Sequence, residues 1–315
     1  MNIQLQLVTW NSFPYLKSFF EALSKQSLTP CSVICVDNNS TDGTKAFLSK
    51  QVKIKTFFLQ TNTGFSHGHN VGFTEAQKNP NIDAILICNP DVILAPNAIQ
   101  ILTDTLEKNM HAGTVSGVLL RPHPLTETSK MSIVDSAGIQ KKFGFRFINR
   151  GEGQKFKKRF FGTTEVFANS GACMLIPRKA LLAISAKKTF LEFFDESFLA
   201  YKEDIDVGWR MQKHGYVNVC TSEVIGFHER NVKKTFGYLG KSPHVVDLSY
   251  RNHIRLLKKN YRFLDSPLDI LGILYYLIIK TLFLLVVHPS FFLKKQAVPP
   301  LKQENESLNN NYNVR

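Results

Sequence analysis

The chain has 315 residues, 43% of them apolar, enough for a packed core and against overall disorder. Its 39 Lys and Arg against 25 Asp and Glu leave a net charge of +14, pointing to nucleic acid, an anionic membrane surface or phosphorylated substrates as partners. Cys31, Cys35, Cys88, Cys173 and Cys220 form no CxxC pair and no finger-like spacing with His, which excludes a zinc module or a disulfide framework. The start, MNIQLQLVTW, has no charged leader before an apolar run, so the chain is expected on the cytosolic side.

Over the first 120 residues, β-rich apolar runs at 3–9, 32–36, 53–59, 84–88 and 114–119 are separated by helical stretches at 15–24, 44–49, 70–78 and 96–108. The alternation predicts an α/β fold with a mostly parallel central sheet flanked by helices. The strands read as continuous apolar runs, as strands buried on both faces do. Residues 121–165 are rich in Pro, Gly, Ser and Thr, with a basic knot of Lys155, Lys157, Lys158 and Arg159, and read as a long excursion or an active-site loop. Strands follow at 172–176 and 217–220, with helices at 178–186 and 204–214. Residues 270–287 then run apolar with Lys280 as their sole charge. Basic residues on both sides suit a membrane-associating helical segment that spans or lies in the interface; a core helix at the domain's edge is the alternative. The division expected is a domain over 1–260, a membrane-associating segment over 261–296 and a polar, disordered tail over 297–315.

In open α/β sheets, ligands bind beyond the carboxyl ends of the strands. Here those ends carry Thr9 and Asn11, then Asp37, Asn38 and Asn39, then Asn62, Gly64 and Asn70, then Asn89 and Asp91. Each cluster is also ordinary turn chemistry; four on one edge suggest a pocket. Gly64, Gly68 and Gly72 allow close backbone approach to a ligand, but their spacing is neither a dinucleotide fingerprint nor a phosphate-cradling GxxxxGK loop. Asp91 can bridge a divalent cation to a diphosphate.

Glu203, Asp204 and Asp206 crowd the start of a predicted helix, whose dipole favours carboxylates there whether they cap or react. An ionised carboxylate at a cleft can serve as a general base. Asp206 and Arg210 stand four apart and should pair. His228, after the apolar run 224–227, is either a structural residue or a second metal ligand with Asp91.

Taken together, the stretches around Thr9–Ser12, Asp37–Thr44, Asn62–Phe65, Asn89–Asp91, Gly171–Ala172 and Phe194–Arg210 resemble family 2 glycosyltransferases of the GT-A fold, nearest a rhamnosyltransferase-like branch. The resemblance implies a nucleotide-diphosphate sugar donor, with deoxythymidine-diphosphate rhamnose as the expected one, and a saccharide or lipid-linked acceptor in cell-surface polysaccharide synthesis. It implies that Asp37 contacts the base, and that Asn62 and its glycine loop line the nucleotide pocket. Thr9, Asn11, Asn39, Gly64, Asn70 and Asn89 are candidates for the same wall. Asp91 with His228 would hold Mg²⁺ or Mn²⁺, and Asp204 would be the catalytic base of an inverting transfer. Where the family usually has DxD, this chain reads Asn89-Pro90-Asp91, with one carboxylate instead of two. Two other readings are a nucleotidyltransferase, which would want a Gly-rich loop after the first strand, and a non-catalytic membrane or nucleic-acid binder. The placement of many positive charges after Lys141 and around the apolar run favours a cytosolic membrane surface over nucleic acid as partner.

Overall fold

The computed structural model describes residues 1–122, 132–158, 161–187, 191–229, 243–262, 268–287 and 313–314. The chain opens with β1 (Ile3–Thr9), α1 (Phe13–Ser24), β2 (Ser32–Asp37), α2 (Thr44–Leu48), β3 (Lys55–Phe58), α3 (Gly64–Gln77) and β4 (Ala84–Cys88). These strands run parallel in the order β4-β1-β2-β3, with Thr9 beside Asp37 and Asp37 beside Phe58. All their carboxyl ends therefore lie on one edge.

The strands form because nearly every residue is buried. β4 is covered on both faces, and β1 is buried except Val8. Helix α1 turns Leu16, Phe19 and Leu23 inward, the spacing of an amphipathic helix. Its entry is helped by a proline at the first turn, where a missing N–H costs nothing. Two polar residues sit inside β1: Gln4 and Gln6. Gln6 Nε2 lies 2.8 Å from both His69 Nδ1 and the His69 carbonyl on α3. Gly68 and Gly72, read from the sequence as ligand-approach glycines, face β1 instead. A Cβ on Gly68 would meet Val8 at 2.8 Å, and one on Gly72 would strike the Gln6 amide. Their role is close helix-on-sheet packing.

The second half continues through β5 (Val92–Leu94), α4 (Ala98–Lys108) and β6 (Ala112–Leu120). The excursion at 121–165 is built, where described, of short strands: β7 (Val134–Ser136), β8 (Ile139–Lys142), β9 (Arg146–Asn149) and β10 (Thr164–Val166). They escape a hydropathy reading because the β8–β9 hairpin is short and largely polar. Arg159 of the basic knot lies outside the described residues; Lys158 pairs with Glu223 at 2.5 Å.

After it come β11 (Cys173–Pro177), α5 (Arg178–Ile184), a small hairpin of β12 (Ala186–Lys187) and β13 (Leu191–Glu192), α6 (Glu203–Lys213) and β14 (Val217–His228). β11 enters antiparallel between β4 and β6, and β14 runs parallel to β6, so the sheet is mixed but mostly parallel. Helices α7 (Pro243–Asn260) and α8 (Asp269–Val287) follow, and β15 (Asn313–Val314) pairs with β3. Of the expected disordered tail, 297–312 and Arg315 lie outside the described residues. All five cysteines are free thiols.

Candidate active site

At the end of β2 the carboxylate of Asp37 is wholly buried. Its Oδ1 accepts from Thr9 Oγ1 at 2.8 Å and Ser40 Oγ at 2.5 Å, and its Oδ2 accepts from the Ser40 amide at 2.9 Å. Asp37, expected to contact the base, and Thr9, expected in the pocket wall, are instead turned inward with these polar atoms paired, and hold the 38–44 turn from beneath. Above them Asn11, at φ 50, accepts the Thr41 amide at 2.8 Å, and Asn39, at φ 58, accepts from Lys45 at 2.8 Å. Left-handed Asn is tolerated because its side chain can bond locally. Trp10 beside this turn is 57% exposed, an indole face at the mouth of the edge.

Asn38 ties the second turn to the third, donating to the Gly64 carbonyl at 3.0 Å and accepting from Thr63 Oγ1 at 3.1 Å. Asn62 is exposed and caps the Gly64 amide at 3.0 Å. Gly64 itself has φ +87, and a Cβ there would sit 2.6 Å from the Leu199 carbonyl, so only glycine fits. Asn70 departs from the expected pocket wall. It is buried, donates to the Phe194 carbonyl and Glu196 Oε1, and accepts the Phe193 and Phe194 amides, so its whole hydrogen-bonding capacity is used inside the fold.

Asp91 and His228 are brought together by strand pairing. β14 runs antiparallel to β5 with His228 opposite Val92, and the Glu229 amide bonds the Asp91 carbonyl at 2.8 Å. His228 Nε2 then lies 3.3 Å from Asp91 Oδ1, while Nδ1 lies 2.9 Å from Oδ2 of the fully buried Asp135 on β7. Burial alone lowers the imidazole's pKa, but the hydrogen bonds to Asp135 and Asp91 outweigh it and push the value up to about 9. Tyr15 borders the same spot; burial, then the charges of Asp91 and Glu229, raise its phenol.

This pair fits a divalent cation. A carboxylate on one imidazole nitrogen fixes the ring and aims the other outward, the arrangement seen behind metal-bound histidines. Among the described residues no three His, Cys, Asp or Glu cluster for a metal. A cation held here by Asp91 and His228 would draw its remaining ligands from substrate phosphates or water, as Mg²⁺ commonly does.

Asp204 stands across a short bridge from this pair. The Asn89 amide bonds the Ala172 carbonyl at 2.8 Å, and the neighbouring Gly171 amide donates to Asp204 Oδ2 at 3.3 Å. Burial raises the Asp204 pKa, opposed by the Gly171 amide and by Lys202. Beside it Glu203 is buried with Oε2 lacking a partner, and burial followed by the Asp204 charge drives its carboxyl well up. Asp206 is different. It is fully buried and bonded to Arg210 Nε at 2.8 Å, Lys259 at 2.9 Å and Asn260 at 2.7 Å, a structural knot, with the expected Arg210 pairing present.

The approach to Asp204 is strained. Leu199, Tyr201 and Lys202 all have positive φ. Asn252 of α7 holds them, donating to the Ala200 carbonyl at 2.8 Å and the Tyr201 carbonyl at 2.9 Å. Phe194 and Phe198 are buried in the core; Tyr201 is exposed. Sequence reasoning missed Asp135, Asn252 and α7. Asp135 lies in a strand only three residues long, whereas α7 does carry an amphipathic signal, with Val246, Leu256 and Leu257 turned inward, that sequence reasoning passed over.

The profile of glycosyl transferase family 2 matches residues 7–184, more than half of the chain. The chain belongs to this family. It is a glycosyltransferase, and the matched span takes in Asp37, Asn62, Asp91 and Gly171. The N-acetylglucosaminyl-diphospho-decaprenol L-rhamnosyltransferase of Mycobacterium tuberculosis is 27% identical over 237 residues, 71% of this chain and 74% of the relative. Among solved structures, GalNAc-T7 with UDP, GalNAc and Mn²⁺ superposes at a TM-score of 0.59, with 13% identity over 82% of this chain and 48% of that one. Staphylococcus aureus TarS superposes at 0.51, with 16% identity over 87% of this chain and 43% of that one. The chain thus spans about half the length of these two structures, and at such identities they speak for the GT-A fold alone.

Proposed function

We propose that this family 2 member is an inverting transferase that moves a 6-deoxyhexose, L-rhamnose from its deoxythymidine-diphosphate donor, onto a polyprenyl-diphosphate-linked N-acetylglucosamine. The substrate assignment is supported by the mycobacterial relative, whose name carries that acceptor and that sugar. The observation that supports the chemistry is the pair of hydrogen bonds through 171–172, Gly171 to Asp204 and Asn89 to Ala172, which ties the Asp204 carboxylate to the turn that carries Asp91.

Asp204 accepts the proton of the acceptor hydroxyl as its oxygen attacks the anomeric carbon. The bond from that carbon to the diphosphate oxygen breaks on the opposite face, so the configuration inverts and a nucleoside diphosphate leaves. Asp91 and His228 would hold a divalent cation, Mg²⁺ or Mn²⁺, and when bound it would supply positive charge against the leaving diphosphate. Asp37, Thr9 and Asn38 shape the turns that meet the nucleotide, and Asn11, Asn39, Asn62 and Asn89 on those turns and strand ends contact it. The acceptor's lipid carrier calls for a membrane surface on the cytosolic face, to which the C-terminal helices hold the domain.

The test is a panel of nucleotide sugars offered with a lipid-linked N-acetylglucosamine acceptor, with and without Mn²⁺, reading nucleoside diphosphate release and the product's anomeric configuration by NMR. Rhamnose transfer with inversion is expected. Retention, or turnover confined to other donors, overturns the assignment.

A further inference from the structure

Helix α8 is apolar and long enough to cross a bilayer, with 19 residues and a mean hydropathy of 2.5. Its packing says otherwise. Along its length it is fastened to the folded domain. Lys141 reaches Asp269 at 3.8 Å, the backbones of Gly272 and Gly144 touch, the Tyr276 ring meets His253 at 5.2 Å, and Thr281 bonds Tyr250 at 2.5 Å. Gly272, Ile273, Lys280 and Leu284 make the buried stripe, so the helix's one basic residue is turned away from solvent, 9% exposed.

The opposite stripe is a different surface. Leu268, Leu271, Tyr275, Ile278, Leu282 and Leu285 recur at three and four residues and are all exposed. Beside it stands the tip of the β8–β9 hairpin, where Phe143 is 76% exposed and its ring packs on Gly272. Lys141, Lys142 and Arg146 flank that tip and are exposed. An uncharged stripe with a basic rim is the pattern of a helix lying at the headgroup level of an anionic membrane.

We propose that α8 and the β8–β9 tip form one surface that rests on an anionic lipid bilayer, with α8 parallel to the membrane plane and Phe143 inserted beside it. Crossing would drag the attached hairpin and its lysines into hydrocarbon, where such groups are expensive. The inference rests on the reading above only for the lipid-linked nature of the acceptor.

The experiment uses the full chain and vesicles of phosphatidylcholine with or without phosphatidylglycerol. Flotation should show binding that is strong only with phosphatidylglycerol. Phe143→Asp, and separately Lys142→Glu with Arg146→Glu, should each weaken it by about tenfold or more while the melting temperature holds. Phe143→Trp and Ile278→Trp, measured as fluorescence added over the parent, should both be quenched more by shallow than by deep brominated lipids. Deep quenching of Ile278→Trp without quenching of Phe143→Trp means a crossing helix and overturns the proposal. Loss of vesicle binding altogether, with a dimer in sedimentation that Ile278→Asp dissociates, assigns the stripe to a second copy and overturns it too. Because these readouts need no sugar transfer, a failed substrate assignment leaves them standing, and transfer to a water-soluble acceptor by Phe143→Asp tests the converse.

Discussion

Nε2 of His228 lies 3.3 Å from Asp91 Oδ1, although the two residues come from β14 and the turn after β4. The contact follows from backbone register, which sets His228 opposite Val92 and bonds the Glu229 amide to the Asp91 carbonyl. Asp135 on the other imidazole nitrogen turns this pair into a ring held in one orientation.

That arrangement predicts how cation binding depends on the supporting carboxylate. Asp135→Asn should weaken Mn²⁺ binding, followed by electron paramagnetic resonance, by about 10–100-fold, with Asp91 and His228 intact. A loss confined to protein stability would make Asp135 a structural residue only.

Cation binding should also depend on pH. The His228 imidazole, pushed up to about 9, is protonated at neutral pH in the metal-free protein, and a cation must displace that proton. The sign is therefore that Mn²⁺ affinity rises with pH until about 9 and flattens above it. Calorimetry in buffers of different ionisation enthalpy should detect close to one proton released per cation at pH 7; none released contradicts the assignment.

Asp206 and Asp204 should separate cleanly. Asp206 is buried within a cluster of Arg210, Lys259 and Asn260 that joins α6 to α7. Asp206→Ala should cost about 1–3 kcal/mol in chemical denaturation, because Arg210 Nε, Lys259 and Asn260 lose the buried carboxylate to which they donate.

The strained approach offers a further check. Gly64→Ala forces a Cβ against the Leu199 carbonyl and puts alanine at φ +87. It should cost about 1–3 kcal/mol and raise the KM for donor, read by denaturation and steady-state kinetics. An unchanged KM would show that the Gly64–Leu199 junction lies away from the pocket.

Much of this was legible in the sequence. The strand runs of β2 and β4 were readable because strands buried on both faces are largely apolar, and β1 because its β-rich run carries only Gln4 and Gln6 before Thr9; the polar residues at their ends could be placed on one edge by topology alone. Asp91, His228 and Asp204 stood out by residue type and position. What stayed hidden was which polar residues point inward. Asn70 and Asn62 look alike in sequence, yet one is spent holding Phe193 and Phe194 and the other is exposed. Gly68 and Gly72 were misjudged for the same reason: a glycine needed for packing on Val8 and Gln6 reads like one needed for a ligand. The partner of His228 was invisible because Asp135 sits in a short strand whose pairing depends on β6.

The acid limb of the reaction should report Asp204. Its pKa is raised, chiefly by burial, so the ionised base is lost at a higher pH than an ordinary carboxylate as the solution is acidified. Lys202→Gln removes a charge that opposes this shift and should move the limb of kcat/KM to still higher pH.

The most direct measurement is Asp204→Asn, with single-turnover transfer rate and donor affinity determined on the same preparation. Transfer should fall by about 10²–10⁴-fold while donor Kd changes by less than about threefold, since the asparagine keeps the shape and the Gly171 contact but cannot take a proton. A variant that still transfers at near the parental rate, or that loses donor binding instead, would contradict Asp204 as the base.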